Sequence, residues 1–242
     1  MDQSAETEDT ASSANRKGRT PRSDTRRALI LAAERIFSEE GISNTSLRRI
    51  TQAAGQRNES AIHYHFGSRE GVVQAILDLR TTPVNAARVA LLSEMQDAAA
   101  GAPLGSRDVA LALVTPLADY LRQSAGRSHY LRFLGMLWLD RPMWRKFEGR
   151  ALDTGLQMLR EALIEAKPHM PALVLRQRFG MAIQMSNSTL SGMERMAFDL
   201  GDAYDWPRAE AQYANLVDSI AAVFDASLSP DTVRALRECG GI

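Results

Sequence analysis

The strongest constraint on this chain is a pair of short helical segments separated by a glycine turn. They are "TSLRRITQAAG", Thr45 to Gly55, and "RNESAIHYHFG", Arg57 to Gly67. In the first, Leu47, Ile50 and Ala54 recur at helical spacing and form one apolar edge, with Arg48 and Arg49 off it. Thr45 or Ser46 supplies the cap, because a side-chain oxygen accepts the free N–H groups of a first turn. In the second, Asn58 is the expected N-cap, and Ile62 and Phe66, four apart, share a face. Gly67 closes this helix. Ser68 can cap the next, with Glu70 in its favourable first turn. A helix of about eight residues, a turn at Gly55 to Arg57 and a second such helix make a helix-turn-helix pattern. The first helix braces and the second is presented outward.

The pattern decides what His63-Tyr64-His65 can do. Helical residues two apart point roughly 200° apart, so His63 and His65 cannot chelate one metal. His129 and His169 lie far along the chain, and no HExxH spacing, Ser-His-Asp arrangement or glycine-rich phosphate loop is visible. We therefore expect no metal, no cofactor and no catalytic residue. Recognition remains: Arg57, Asn58, Ser60, Ala61, His63 and Tyr64 are short, polar or planar groups able to reach base edges and phosphates. His65 is expected to pack against the first helix. Tyr64 fits either role.

Charge supports this reading once it is resolved along the chain. The total is neutral, with 29 basic and 29 acidic residues. From Asn15 to Glu70, however, eleven basic residues face six acidic ones, a net of +5. Residues 1 to 22 are polar and then basic, read as a disordered tail that either solubilises or reaches DNA as an arm. The single cysteine, Cys239, allows no intrachain disulfide and no Cys-based metal framework. The N-terminus has no apolar core of a signal peptide, and no apolar run approaches the ~20 residues of a membrane span. A soluble cytoplasmic protein is expected.

Upstream, "SDTRRALILAAERIFSEEG" reads as a helix capped by Ser23 or Asp24 and stopped by Gly41. Leu29, Ala33, Ile36 and Phe37 fall on one face. Downstream, helices are predicted near Arg69–Arg80, Pro83–Asp97, Arg107–Gln123, Ser128–Leu139, Met143–Lys167, Pro171–Leu200, Pro207–Ala226 and Pro230–Cys239. Four of these open on a first-turn proline, whereas Pro116 should kink or split its helix. No strand-like alternation appears.

The stretches "TRRALILAAERIFSEEG", "TSLRRITQAAG" and "YHFGSREGVVQAIL" closely resemble the N-terminal domain of the TetR family of bacterial transcriptional regulators, from about Thr25 to Leu77. Arg69 stands where the family usually has Lys. The turn from Gly55 to Phe66 is one residue longer than the commonest form. Leu31 and Glu34 stand where the pattern usually shows polar and apolar residues, respectively. The resemblance implies an all-α homodimer whose third helix enters the major groove of a double-stranded DNA operator. Its domains would be a three-helix DNA-binding head, residues 23–78, and a larger helical ligand-binding and dimerisation domain, 79–242. Carried over, Arg57, Asn58, Ser60, Ala61 and His63 face bases. Thr45, Ser46, Arg48, Tyr64 and Arg69 face phosphates, and Glu59 lies at the interface edge. The arm from Arg16 to Arg22 would enter the flanking minor groove.

The regulatory segment carries two apolar clusters. One holds Phe133, Leu134, Met136, Leu137 and Trp138 with Trp144 and Phe147; the other holds Phe179, Met181, Ile183 and Met185, with Met193 and Met196 beyond. Methionine suits an adaptable cavity. Phe133, Leu137, Trp138, Trp144, Phe179 and Met185 are the candidate lining for a small apolar effector, against the plainer reading of ordinary core. Pro171–Leu200 and Pro207–Ala226 are the candidate dimer helices. Gly180, Ser186, Ser188, Ser191 and Gly192 would permit close approach there. The expected function is a ligand-responsive regulator, with repression the expected sense and activation also open to this fold. The alternatives are a helical ligand carrier, or an interaction module that keeps the fold without DNA contact.

Overall fold

The computed structural model describes residues 21–56, 58, 60–147 and 154–241 (backbone alone at Pro21). Among them all regular structure is helical: α1 Pro21–Glu40, α2 Leu47–Ala53, α3 Ala61–Phe66, α4 Arg69–Ala98, α5 Ser106–Ser124, α6 Tyr130–Leu139, α7 Arg141–Trp144, α8 Thr154–Ala166, α9 Ala172–Leu200, α10 Trp206–Asp225 and α11 Pro230–Glu238. A 3-10 turn, Gly201–Ala203, joins α9 to α10. The predicted tail lies outside the described residues up to Thr20. Arg22, the last residue of the predicted arm, stands in α1, so Ser23 and Asp24 lie within its first turns and not at its cap.

The largest departure from the sequence reading is at Pro83. A helix was expected to begin there, yet α4 runs unbroken through it. Proline removes the hydrogen bond to the carbonyl of Leu79 and costs about 3 kcal/mol in a helix interior. Pro83 lies on the solvent side, while Val84, Arg88 and Leu92 continue the buried stripe begun by Ile76 and Leu77. Burying Val84 and Leu92 returns roughly 1.5–3 kcal/mol each, enough to outweigh the break. The expected boundary between residues 78 and 79 therefore falls inside one continuous helix. Pro116 likewise leaves α5 a single helix. The helix expected over Met143–Lys167 is represented by α7 and α8, with 148–153 outside the described residues.

The N-terminal helices form a head clasped to a helical body. α1 buries Leu29, Ile30, Ala33, Ile36 and Phe37, and it packs on α2, α4 and α6. The Phe37 and Phe133 rings stack at 6.4 Å across the α1–α6 seam. In the same seam the Glu34 carboxylate, 1% exposed, accepts from Arg80 Nε of α4 at 2.7 Å and from the backbone N–H of His129 at 3.3 Å. Beside it, Glu194 of α9 is fully buried and accepts from the N–H groups of Leu131 and Arg132 at the start of α6. Outside, Ser43 donates to Asp140 and Lys146 donates to Glu70, each at 2.5 Å. The body packs α9 on α6, α10 on α5 and α8 on α4 and α5.

Two outcomes follow for stability. Removing one partner of a buried ion pair costs roughly 3–5 kcal/mol. Arg80 keeps some solvent contact, so Glu34→Gln should cost about 3 kcal/mol, read from the urea midpoint. His129 accepts from Arg132 Nη2 at 2.6 Å. Burial, and then the Arg132 charge, push its pKa down to about 4. Its contribution is complete above about pH 6.5 and lost as pH falls towards 4, because the unfolded chain then binds a proton that the fold refuses. The urea midpoint should drop across that interval, and His129→Gln should flatten part of the drop.

Candidate nucleic-acid interface and effector cavity

The head is organised around α3, which is only six residues long. Isolated helices of this length are unstable in water, so packing must hold it. Ile62 is its anchor, fully buried, with Phe66 packed at the core edge. Asn58 acts one step earlier than a helix cap: its Oδ1 accepts from the backbone N–H and the hydroxyl of Ser60, at 3.0 and 2.6 Å. It thus builds the turn before α3 and leaves Ser60 at the N-cap position. The helix ends at Gly67, φ +74°. There α4 approaches so closely that a Cβ on Gly71 would lie 1.9 Å from the Phe66 carbonyl oxygen. Glycine at 71 is therefore a requirement of the fold.

Opposite Ile62, Ser60, His63 and Tyr64 are exposed, Tyr64 by 66%, with Ala61 half-covered. His63 Nδ1 lies 3.0 Å from the Gly67 carbonyl oxygen. His65 is partly buried against the Tyr64 ring, edge-on at 5.0 Å. Its pKa is lowered by burial and then by Arg22 and Arg26. Those two arginines come from α1: Arg22 sits over the Tyr64 ring at 5.0 Å and Arg26 over Phe66 at 5.3 Å. They cover one side of α3 with positive charge, and Arg26 was not among the expected site residues. Arg57 and Glu59 lie outside the described residues.

One expected phosphate ligand, Thr45, is corrected, and half-exposed Arg69 is found in a bracing role. Thr45 is 1% exposed, and its hydroxyl donates to the Gly41 carbonyl at 2.7 Å. Arg69 Nη1 donates to the carbonyls of Ile42 and Thr45, at 2.5 and 2.6 Å. Both residues fasten the α1–α2 turn to the start of α4. Ser46 and Arg48 keep solvent contact, though Ser46 makes no side-chain cap. Arg49 pairs with Glu40 at 2.7 Å. Among the described residues no cluster of three His, Cys, Asp or Glu could hold a metal, and no helix is long and apolar enough to cross a membrane.

The body contains a cavity of about 80 Å³ between α4, α5, α6, α8 and α9. Leu77, Thr81, Val84 and Arg88 of α4 line one side as a single stripe. Of the six residues expected to line it, only Trp144 does. Phe133 and Leu137 face the core and are fully buried, and Phe179 is buried outside the cavity. Met185 packs on the core. Trp138 packs edge-on against Trp144 at 4.9 Å and borders a separate outer groove between α6 and α9. The actual lining adds Tyr130, Phe147 and Ile183, with polar atoms from Thr81, Arg88, Ser186 and Asn187.

A short outward helix braced on a helix-turn-helix head, joined to a helical body with its own cavity, defines a two-domain, all-helical architecture. Residues 29–76 match the family model for bacterial regulatory proteins of the tetR family, and residues 111–222 match the tetracyclin repressor-like C-terminal domain. The two together span about two thirds of the chain, which belongs to the TetR family. It is 42% identical over 55 residues to the HTH-type transcriptional regulator TtgR of Pseudomonas putida, covering 23% of this chain and 26% of that one. It is 34% identical over 62 residues to the HTH-type transcriptional repressor BepR of Brucella suis, covering 26% and 29%. The matched part is thus under a third of those relatives' length. A crystal structure of a TetR-family regulator from Streptomyces coelicolor aligns over 86% of this chain and 99% of its own, with 19% identity and a TM-score of 0.36.

The corrected roles separate in one comparison. Arg69→Ala should lower the melting temperature, since two carbonyls lose their donor, whereas Tyr64→Ala should leave it within about 2 °C because surface substitutions move stability little. Thermal melts followed by circular dichroism check both.

Proposed function

We propose that this protein is a cytoplasmic, homodimeric transcriptional repressor, released from its operator by a small molecule bound in the α4–α9 cavity. One observation carries the DNA-binding part: exposed Ser60, His63 and Tyr64, with half-covered Ala61, form a face opposite the buried Ile62 anchor and beside Arg22 and Arg26. In this reading α3 enters the major groove. Asn58, Ser60, Ala61 and His63 reach base edges, joined by Arg57. Ser46, Arg48 and Tyr64 reach phosphates. The repressing sense is supported by the name of one relative. The rival, a carrier or interaction module on the same fold, would leave this polar face without a partner.

The dimer would form through α9 and α10. α9 exposes Met181, Met196 and Leu200 on one side, while Phe198 packs on His129 and Arg132, and Gly180 and Gly192 open onto free space. Ser186 and Ser191 serve the subunit itself: Ser186 donates to the Ala182 carbonyl, and Ser191 faces Gly135 of α6. Coupling runs through α4. Its first turn abuts the end of α3, and its later turns line the cavity. The cavity is smaller than the roughly 300–1,000 Å³ typical of drug-sized ligand sites. An effector would therefore have to part α4 from the helices facing it. Parting them tilts the head and shifts the spacing of the two recognition helices, and DNA affinity falls by the ligand's preference for the open state.

A salt series checks the reading. Binding to the DNA immediately upstream of the protein's own gene should survive ~150 mM salt, while binding to random DNA should collapse with a steep log–log slope. Tyr64→Ala should weaken operator binding about tenfold, the loss of one good contact. Equal, weak binding to both DNAs, with no sequence enriched from a random pool, would favour the carrier or interaction module.

A further inference from the structure

Arg88 is the anomaly of the body. It is 4% exposed and lines the cavity. Its Nη2 donates to the Leu113 carbonyl at 3.2 Å, and its Nε–H has no partner. The other deeply placed arginines are compensated: Arg80 by Glu34 and Arg132 by Glu194, while Arg178 donates to the Phe224 carbonyl and lies in the field of Asp225. Among the described residues no carboxylate pairs with Arg88. Burial lowers its pKa to about 10, so it is still a cation at neutral pH. A buried charge without a counter-ion is among the most costly features a fold can carry.

The surroundings are fitted to this charge. A Cβ on Gly155 would lie 2.5 Å from Asn85 Oδ1 and 3.2 Å from Arg88 Cδ, so glycine at 155 makes room for the arginine stem. The nearby hydroxyls are already engaged: Thr81 and Tyr130 bond each other at 2.9 Å, and Ser186 donates to the Ala182 carbonyl. Among the described residues Arg88 is thus the one charged group with donors to spare here, beside the neutral Asn187 amide, in a lining otherwise dominated by apolar residues such as Leu77, Leu117, Trp144 and Ile183.

We propose that the effector is an amphipathic organic acid, whose carboxylate pairs with Arg88 while its hydrocarbon or aryl body fills the apolar part of the cavity. This rests on the cavity being the effector site. The guanidinium fork matches a carboxylate in two parallel hydrogen bonds, and a neutral isostere leaves the charge unmatched. Discrimination by charge follows, with shape secondary.

The test uses the full-length protein with matched pairs of probes: hexanoate with hexanamide, decanoate with decanamide, and 4-phenylbutanoate with 4-phenylbutanamide. Calorimetry should show at least one carboxylate binding about 50-fold tighter than its amide, the scale of a charge-assisted pair. Arg88→Met should abolish that preference while keeping amide-level binding, and Arg88→Lys should retain part of it. Without any probe, Arg88→Met should raise the melting temperature, because it removes an uncompensated buried charge. Equal binding of acid and amide, or a preference that survives Arg88→Met, would overturn the proposal and leave the cavity as the effector site. A lower melting temperature for Arg88→Met would also overturn it, since the fold would then neutralise the guanidinium itself. Binding of acids and amides that is insensitive to every Arg88 variant and to Ile183→Trp would place the ligand elsewhere and sink the cavity reading with it.

Discussion

The contact between Glu34 and Arg80 holds the architecture together. It joins the first helix of the head to the long helix that runs into the body, and the same carboxylate receives the backbone N–H of His129 before α6. A carboxylate this buried is tolerated only when its lone pairs are matched. The requirement fixes α1, α4 and the start of α6 relative to one another. Phe37 on Phe133 then fills the adjoining space. The head is thereby tied directly to α4 and to the start of α6.

From this seam the order of dependence runs outward. α3 is too short to stand alone. It exists because Ile62 is buried, because Asn58 shapes the turn before it, and because Gly71 lets α4 press against its end. Thr45 and Arg69 fasten the α1–α2 turn to α4. The exposed residues of α3 are then free to be chosen for what they contact, since the residues beneath carry the structure.

Much of the head was legible in the sequence. The spacing of Leu29, Ala33, Ile36 and Phe37, the Ile62/Phe66 pair, and the glycines at 41, 55 and 67 each state a local rule, and the structure obeys them. The departure at Glu34 was visible as an acid on an apolar face, and its partner 46 residues away was not. Arg88 offered the same kind of signal, lying four residues from both Val84 and Leu92 on a buried stripe. Large apolar residues misdirected the search for the cavity. Phe133, Leu137 and Phe179 are buried as core, because a side chain reports its hydrophobicity and not whether the space beside it is filled.

By itself the sequence determined the helical class, the helix-turn-helix order, the clustering of positive charge before Gly71 and the polar face of α3. These rest on periodicity, capping and turn chemistry within a few residues of one another. The tertiary structure alone decided that α4 would pass through Pro83, that Thr45 would be buried with Arg69 Nη1 bracing its turn, and that Arg88 would end in a cavity without a carboxylate partner among the described residues. Each of those outcomes is a balance between a local preference and burial against distant parts of the chain, and only the assembled fold sets the second term.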